Sequence, residues 1–467
     1  MNIVVLNGSP KGMTSVTMQY VLWLRKRFPE HGFTIHNVCS ELKRLEGDEE
    51  AFRDIVHMVE TSDGVLWAFP LYYLLVHAHY KRFIELLIER GSRASFEGKY
   101  AAVLSTSIKF FDHTAHEYVH GISDDLGMTF VGSYSAKMYD LLQAPERDRL
   151  ALFFEGFFRA IATQAAFPRR FQPVLPQVFR YEPGEPGKRV DVPGKTVLVI
   201  TDAEDDSGNL ARMTSRLLGA IDGDVTVVNL RQIRIRGGCM GCLQCSLDNE
   251  CVYRDQDEIE ETYDKIRRAD VVILAGAVRD RYLSSRWKLF FDRGFYMNHV
   301  PIFGGKQVAW LVAGPLGQLA SLRQILEGYL ACQGANLVGI VTDECQDSPG
   351  LDRLIDCLAV RLAASAATGY VAPETFLAVA GHKLFRDEIW ANLRVPFQAD
   401  HRYYRAHGLY DFPRRSLKDR VFQGAMTLLT RIPSFRREYR VRMKSEMIKP
   451  FQKVLGSVPE LSTGRDG

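Results

Sequence analysis

The 467-residue chain is predicted to fold as two tandem α/β domains, each built on a doubly wound parallel sheet, followed by a basic, mainly helical C-terminal extension. Three observations predict this. Short apolar runs alternate with helical patterns, as they do where parallel strands are joined through crossover helices. The pattern also occurs twice. Displaced by 207 residues, Asp63, Val65 and Ala68 fall on Asp270, Val272 and Ala275, Lys81 and Phe83 on Lys288 and Phe290, Gly98 and Lys99 on Gly305 and Lys306, and Gly127, Val131 and Gly132 on Gly334, Val338 and Gly339. Finally, residues 371–467 carry 18 Lys+Arg against 10 Asp+Glu, a balance of +8, whereas residues 1–370 carry 41 against 46. The net charge of +3 therefore joins an acidic body to a basic tail.

In the first copy, buried-strand patterns lie at 2–6, 65–69, 100–105 and 129–133, and helical patterns near 14–27, 49–60, 77–90, 112–126 and 146–165. These define a first domain over 1–166. Pro168, Pro173, Pro176, Pro183, Pro186 and Pro193 then mark 167–194 as an extended, fairly stiff connector. The second copy runs over 195–370. Its first strand, Val197 to Ile200, pairs with Ile3 to Leu6 at an offset of only 194, so it carries thirteen extra residues between its first and third strands. In the 371–467 extension, Leu417, Val421, Ala425, Leu428 and Leu429 form a helical apolar stripe, with Lys418, Arg420 and Arg431 elsewhere, up to Pro433. A basic run follows through Arg436, Arg437, Arg440, Arg442, Lys444 and Lys449. Packing on its own domains or on an acidic partner is the default for such a segment, and peripheral contact with an anionic membrane is the alternative. Nothing beyond charge suggests nucleic acid.

The composition, 46% hydrophobic and 25% charged, is that of a soluble globular protein and excludes a disordered or collagen-like chain. No apolar run reaches the roughly 18–20 residues that span a bilayer. Met1 leads directly into Ile3-Val4-Val5-Leu6 without a signal-peptide pattern, so a cytoplasmic protein is expected. Of the 8 cysteines, Cys239, Cys242, Cys245 and Cys251 crowd into the thirteen-residue stretch 239–251. In a reducing compartment such crowding points to metal or redox chemistry, not disulfides.

After the first strand, Asn7-Gly8-Ser9-Pro10-Lys11-Gly12-Met13-Thr14-Ser15-Val16-Thr17 opens a helix. A loop in that position offers backbone N–H groups and the helix dipole to an anion. Ser9, Thr14, Ser15 and Thr17 add hydroxyl donors, and Lys11 adds charge. An ordinary capped turn is the alternative reading. Strand, hydroxyl-rich loop and helix together resemble the phosphate loop of the flavodoxin-like NAD(P)H-dependent FMN reductases. That resemblance implies two tandem flavodoxin-like domains, FMN as cofactor and NAD(P)H as donor. It further implies that Pro70, Leu71, Tyr72 and Tyr73 wall the flavin ring and that Ser105, Thr106 and Ser107 approach its other side. The matching loop of the second copy, Thr201-Asp202-Ala203-Glu204-Asp205-Asp206-Ser207-Gly208-Asn209, sets four carboxylates where a phosphate would sit. One FMN per chain, in the first copy, is expected.

Cys239-x2-Cys242-x2-Cys245-x5-Cys251 places four soft ligands on one compact loop, wrapped closely with the help of Gly237, Gly238 and Gly241. The spacing suits a [4Fe-4S] cluster; zinc and metal-free redox thiols are the alternatives. A compact cysteine loop inserted in a flavodoxin-like domain resembles the iron-sulfur flavoproteins, which implies a cluster close to FMN across a dimer interface. With the flavin loop kept in one copy and the cysteines in the other, an intrachain pseudo-dimer is expected, and further homo-oligomerisation is left open. Weaker features are His113, His116 and His120 on one helical face, read as exposed rather than metal-binding, and His77 and His79 at a helix start, read as polar caps. Cys345 is read as a loop thiol, and Cys332 and Cys357 as core cysteines.

The expected function is thus FMN-dependent, iron-sulfur oxidoreduction between NAD(P)H or a small carrier and a small-molecule acceptor or redox protein. A non-catalytic redox sensor or electron-transfer module and a zinc-bearing, membrane-surface quinone reductase are the alternatives.

Overall fold

The computed structural model describes residues 1–185, 187, 189–297, 300–413 and 416–455; Pro186 of the proline-rich stretch and the side chain of Lys444 in the basic run lie outside them. The first sheet contains β1 (Asn2–Asn7), β2 (Gly32–His36), β3 (Gly64–Pro70), β4 (Tyr100–Ser107) and β5 (Thr129–Lys137), all parallel, in the order β2-β1-β3-β4-β5. Its helices are α1 (Val16–Arg27), α2 (Leu42–Gly47), α3 (Glu49–Glu60), α4 (Ala78–Glu89), α5 (Arg93–Phe96), α6 (Asp112–Asp125) and α7 (Ala144–Ala162). The second sheet repeats the order with β6 (Val190–Thr201), β7 (Ile221–Asn229), β8 (Val271–Arg279), β10 (Gln307–Ala313) and β11 (Asn336–Thr342), and β9 (Tyr282–Leu283) adds antiparallel to β8. Around it lie α8 (Asn209–Ala220), α9 (Ile259–Arg268), α10 (Ser285–Arg293), α11 (Ala320–Cys332) and α12 (Ser348–Thr368). After these come α13 (Phe376–Ala391), α14 (Gln398–Ala406), α15 (Leu417–Leu429) and α16 (Pro433–Leu455).

Central strands such as β3 are buried along nearly their whole length, as a parallel sheet covered on both faces requires. Helix α3 shows how the flanking layer is specified: Asp48 caps it by accepting the Ala51 N–H, Glu49 and Glu50 complement its dipole, and Ala51, Phe52, Ile55 and Val59 form its buried stripe. The expected core placement of Cys357 does not hold. The buried stripe of α12 runs through Leu351, Ile355, Leu358 and Leu362, which leaves Cys357 exposed, and Cys332 is only half-buried at the end of α11. Cys345 is exposed in a short turn after β11.

The two halves belong to one compact unit, Met1–Ala406, and a second unit begins at His407. One apolar cluster runs through both halves, from Val4, Trp67 and Phe83 to Trp287, Trp310 and Tyr329. At its centre α4 and α10, which correspond in the repeat, cap each other. Glu85 accepts the Ser285 N–H at 2.7 Å, and Asp292 accepts the Ala78 N–H at 2.6 Å. Each carboxylate also holds a buried lysine one turn away, Lys81 with Glu85 and Lys288 with Asp292. Such reciprocal contacts are those of an isologous interface, here formed within one chain.

The proline-rich stretch is not a free spacer. Its backbone N–H groups are taken up by side chains outside it, and its own side chains reach back: Asp124 accepts the Arg170 and Phe171 N–H groups, and fully buried Tyr181 donates its hydroxyl to Asp352 at 2.5 Å. In the second unit, α15 buries no residue. No helix among the described residues is long and apolar enough to cross a membrane.

Candidate active site

The loop after β1 is fixed largely by its own bonds. Asn7 Oδ1 accepts the Ser9 N–H at 3.0 Å, Ser9 Oγ accepts the Lys11 N–H at 3.2 Å, and Ser15 Oγ caps α1 by accepting the Met18 N–H at 3.2 Å. Ser9 and Ser15 act here as acceptors, so their hydroxyl protons remain for an anion at the start of α1. Thr14, by contrast, donates its hydroxyl to the Lys11 carbonyl at 2.8 Å. Thr17 is fully buried, with Oγ1 2.6 Å from Thr106 Oγ1. Gly8 admits no side chain, since a Cβ there would lie 2.6 Å from the ring of Tyr80, whose hydroxyl is anchored on the Leu6 carbonyl.

The strand ends opposite this loop bring together some of the expected residues and separate others. Thr106 reaches Thr17, and its carbonyl accepts the Leu71 N–H at 3.1 Å. Strand alternation turns Ser105 the other way, to 2.7 Å from His116 Nε2. Ser107 Oγ accepts the Lys109 N–H and closes its own turn. Beyond Pro70 the chain makes a hairpin closed by Tyr72 and Leu75, with Tyr73 (φ 35°) and Leu74 (φ 64°) both in the left-handed region that non-glycine residues avoid. The second half repeats this strained turn at Asp280 (φ 47°) and Arg281 (φ 63°), the same 207 residues on. The Tyr72 and Tyr73 rings lie at the junction of the halves, against Phe295 at 6.1 and 6.3 Å between centroids.

In the second half, the loop after β6 supplies its own anion. Asp205 Oδ1 accepts the N–H groups of Ser207 (2.8 Å) and Gly208 (3.0 Å) and the Ser207 hydroxyl (2.7 Å) at the start of α8. Glu204 pairs with Arg231 and Arg279, and Asn209 is bound to the Phe179 carbonyl and the Tyr181 N–H of the proline-rich strap.

The cysteine loop occupies the long connection between β7 and α9. All four of its cysteines line one cavity of about 20 Å³, together with Tyr253, Arg293, Phe295 and Tyr296. Burial pushes the Cys239 and Cys245 thiols up to about 12, so they are protonated until a metal displaces the proton. Buried Arg293, paired with Asp257, directs Nη2 to Cys251 Sγ at 3.7 Å. From the C-terminal side, Arg402 of α14 donates to the Leu247 carbonyl. The loop is seated on the first half. A Cβ at Gly241 (φ +62°) would lie 2.8 Å from Lys11 Cε and closer still to the Tyr72 hydroxyl, and Gly238 donates its N–H to His79 Nε2 at 3.2 Å. His77 Nε2 donates to the Cys239 carbonyl at 2.8 Å.

A sequence profile for NADPH-dependent FMN reductases matches residues 1–138 and 196–340, more than half of the chain. The chain belongs to this family. The two matched stretches fall on the two parallel sheets, so this is a tandem duplication within a family of FMN-dependent NAD(P)H oxidoreductases. Solved structures similar to it include RosB with a bound 8-demethyl-8-formylriboflavin-5'-phosphate intermediate (13% identity, 42% of this chain and 88% of that one, TM-score 0.32). Two others are the FMN-dependent NADH-azoreductase of Bacillus anthracis in complex with FMN (14%, 36% and 99%, 0.28) and the NAD(P)H:(acceptor) oxidoreductase FerB of Paracoccus denitrificans (19%, 34% and 97%, 0.28). No curated protein matches the chain.

Sequence reasoning about this FMN reductase missed Arg293 and the anion role of Asp205. Arg293 had only its place at the end of an apolar helix to mark it, and its partners Asp257 and Cys251 lie 36 and 42 residues away. The three histidines of α6 do not converge. His113 meets Gln324, His116 meets Ser105, and His120 stacks on Phe130 at 3.9 Å. Neither His116 nor His120 is exposed as expected, because that face of α6 packs on β4 and β5.

Proposed function

We propose that this chain is an FMN-dependent NAD(P)H oxidoreductase with one FMN, held by the first half, and one [4Fe-4S] cluster, held by Cys239, Cys242, Cys245 and Cys251 of the second. The observation that carries the reading is the seating of Gly241 between Lys11 and Tyr72, which sets the cysteine loop against the residues expected to hold the flavin. When bound, FMN supplies hydride acceptance and single-electron release. Lys11, Ser9 and Ser15 bind its phosphate at the start of α1, Pro70 and Leu71 with Tyr72 and Tyr73 form the apolar wall that keeps water from the ring, and Thr17 and Thr106 brace the floor between them. Asp205 occupies the corresponding anion position in the second half, which supports a single FMN per chain. The donor set of the loop, four cysteines at gaps of two, two and five residues, supports a cluster. Arg293 donates to Cys251 Sγ and so favours the more reduced cluster charge.

Anaerobic purification with FMN, iron and acid-labile sulfide counted per chain tests this. One FMN, four iron and four sulfide support the reading, whereas two FMN without iron overturn it. Zinc in place of iron transfers the case to a zinc-bearing quinone reductase. Steady NAD(P)H turnover with an artificial acceptor separates the enzyme from a redox sensor. The basic C-terminal helices dock in this reading on an anionic lipid surface, which would favour an apolar acceptor such as a quinone. Their exposed Leu417, Val421, Phe422 and Leu428, interspersed with arginines and lysines, support it.

A further inference from the structure

A second group of soft donors stands beside the cysteine loop. Cys39, in the turn after β2, and His77 and His79, at the start of α4, each offer one donor atom, all within 4.8 Å of one another. Cys39 and His77 are fully buried, with Sγ and Nδ1 3.2 Å apart. That is close to the roughly 3.5 Å separating a sulfur and a nitrogen that share one tetrahedral ion. Both imidazoles are oriented by backbone carbonyls: His77 Nε2 donates to Cys239 O at 2.8 Å and His79 Nδ1 to Cys39 O at 3.2 Å. The other nitrogen of each ring carries the lone pair and here accepts a backbone N–H, His77 Nδ1 that of His79 at 3.1 Å and His79 Nε2 that of Gly238 at 3.2 Å, bonds that a metal would replace.

We propose that Cys39, His77 and His79 form a three-ligand site for one soft, thiolate-seeking metal ion, Zn(II) or Cu(I), separate from the cysteine loop. The inference does not depend on what the loop carries. On binding, the metal takes the lone pair of each imidazole and displaces one proton from Cys39 to the buffer. The charged groups facing the site are Asp292, 3.9 Å from His77 Nε2, and Lys288, which pairs with it, while Lys43 and Glu46 lie toward His79. With those charges balanced, Cu(I) and one thiolate leave no net buried charge, and Zn(II) leaves one. The bound ion would fix His77, and through its bond to Cys239 the position of the cysteine loop.

The test uses the full-length protein, stripped of adventitious metal and titrated anaerobically with Zn(II) and, separately, Cu(I) against a chromophoric competitor. Cys39→Ala and His79→Gln should each lose one equivalent relative to the unsubstituted chain, and Cys345→Ala, which removes an exposed thiol outside both groups, should retain it. The arm in which the equivalent appears identifies the metal. Equal uptake and affinity in Cys39→Ala and the unsubstituted chain overturns the proposal. X-ray absorption of the unsubstituted protein decides independently of how the variants fold: one metal with a mixed nitrogen and sulfur shell is expected, and sulfur-only shells at every metal overturn it.

Discussion

Gly8 shows how tightly the flavin loop is determined. Its neighbour Tyr80 cannot retreat, because the ring is fully buried and its hydroxyl is held at 2.8 Å by the Leu6 carbonyl. Gly8→Ala must therefore move the loop or the ring, and should cost about 1–3 kcal/mol in denaturant unfolding with loss of bound flavin absorbance. Unchanged stability and flavin content would show that the loop yields freely. His116 gives a second residue-level expectation. Burial, partly opposed by Asp112, lowers its folded pKa from 6.5 to about 4. Between those values the unfolded chain binds a proton that the folded chain refuses, so stability rises with pH through this window and is lost as pH falls from 6.5 toward 4. The effect is on the order of 3 kcal/mol, and His116→Gln should flatten the difference between unfolding midpoints at pH 7 and pH 5. Ser9, Lys11 and Ser15 bond to partners adjacent in sequence, so the capped turn they form follows from spacing, while their binding of a phosphate belongs to the proposed function. The second loop was expected to repel a phosphate through its four carboxylates; the bonding of Asp205 to the Ser207 and Gly208 N–H groups depends on a loop conformation that composition does not specify.

At the scale of elements, the strands and longer helices were legible because they are fully covered and show clean periods. Edge strand β2 was given no bounds, since Gly32–His36 is only partly buried and its pattern is weak. The paired left-handed turns at Tyr73-Leu74 and Asp280-Arg281 were illegible for a different reason: of the four residues only Asp280 is of a type that visits this region readily, and no glycine marks either turn. The α4–α10 contact is the element whose removal should matter most. Among the described residues Glu85 and Asp292 are the carboxylates that bridge these helices, and Glu85 holds both Lys81 and the Ser285 N–H. Glu85→Ala leaves a buried ammonium and takes the acceptor from the Ser285 N–H and hydroxyl, and should cost about 3–5 kcal/mol. The charge-free pair Lys81→Met with Glu85→Leu should recover much of that loss. A double-substitution cycle read by denaturant unfolding checks it, and additive losses would mean that the two side chains do not act as a unit.

At the scale of the whole molecule, the chain divides its charge between its units. From Leu417 to Leu455 there are ten Lys+Arg against three Asp+Glu, whereas residues 1–370 are net acidic. Charge alone would allow either an acidic protein or an anionic lipid as partner; the apolar side chains distinguish them. Leu417, Val421, Phe422, Leu428, Val441, Met447 and Phe451 are all more than half exposed, along two helices in which no described side chain is buried. A bilayer interface accepts such residues at any position along the helix, and each basic residue near it adds about 1 kcal/mol of attraction that salt screens. The full chain should therefore sediment with vesicles containing phosphatidylglycerol at low ionic strength, remain in solution with purely phosphatidylcholine vesicles, and be released in part at 0.5 M salt, a value of roughly 3–5 Å in screening length. Truncation after Ala406 should abolish sedimentation without altering flavin content, because the sheets and the cysteine loop lie within Met1–Ala406. Phe422→Ser leaves the charge unchanged, so weaker binding of this variant at low salt isolates the contribution of the apolar side chain. If the truncated and full chains partition alike, the lipid surface is excluded and the basic unit must instead meet a protein.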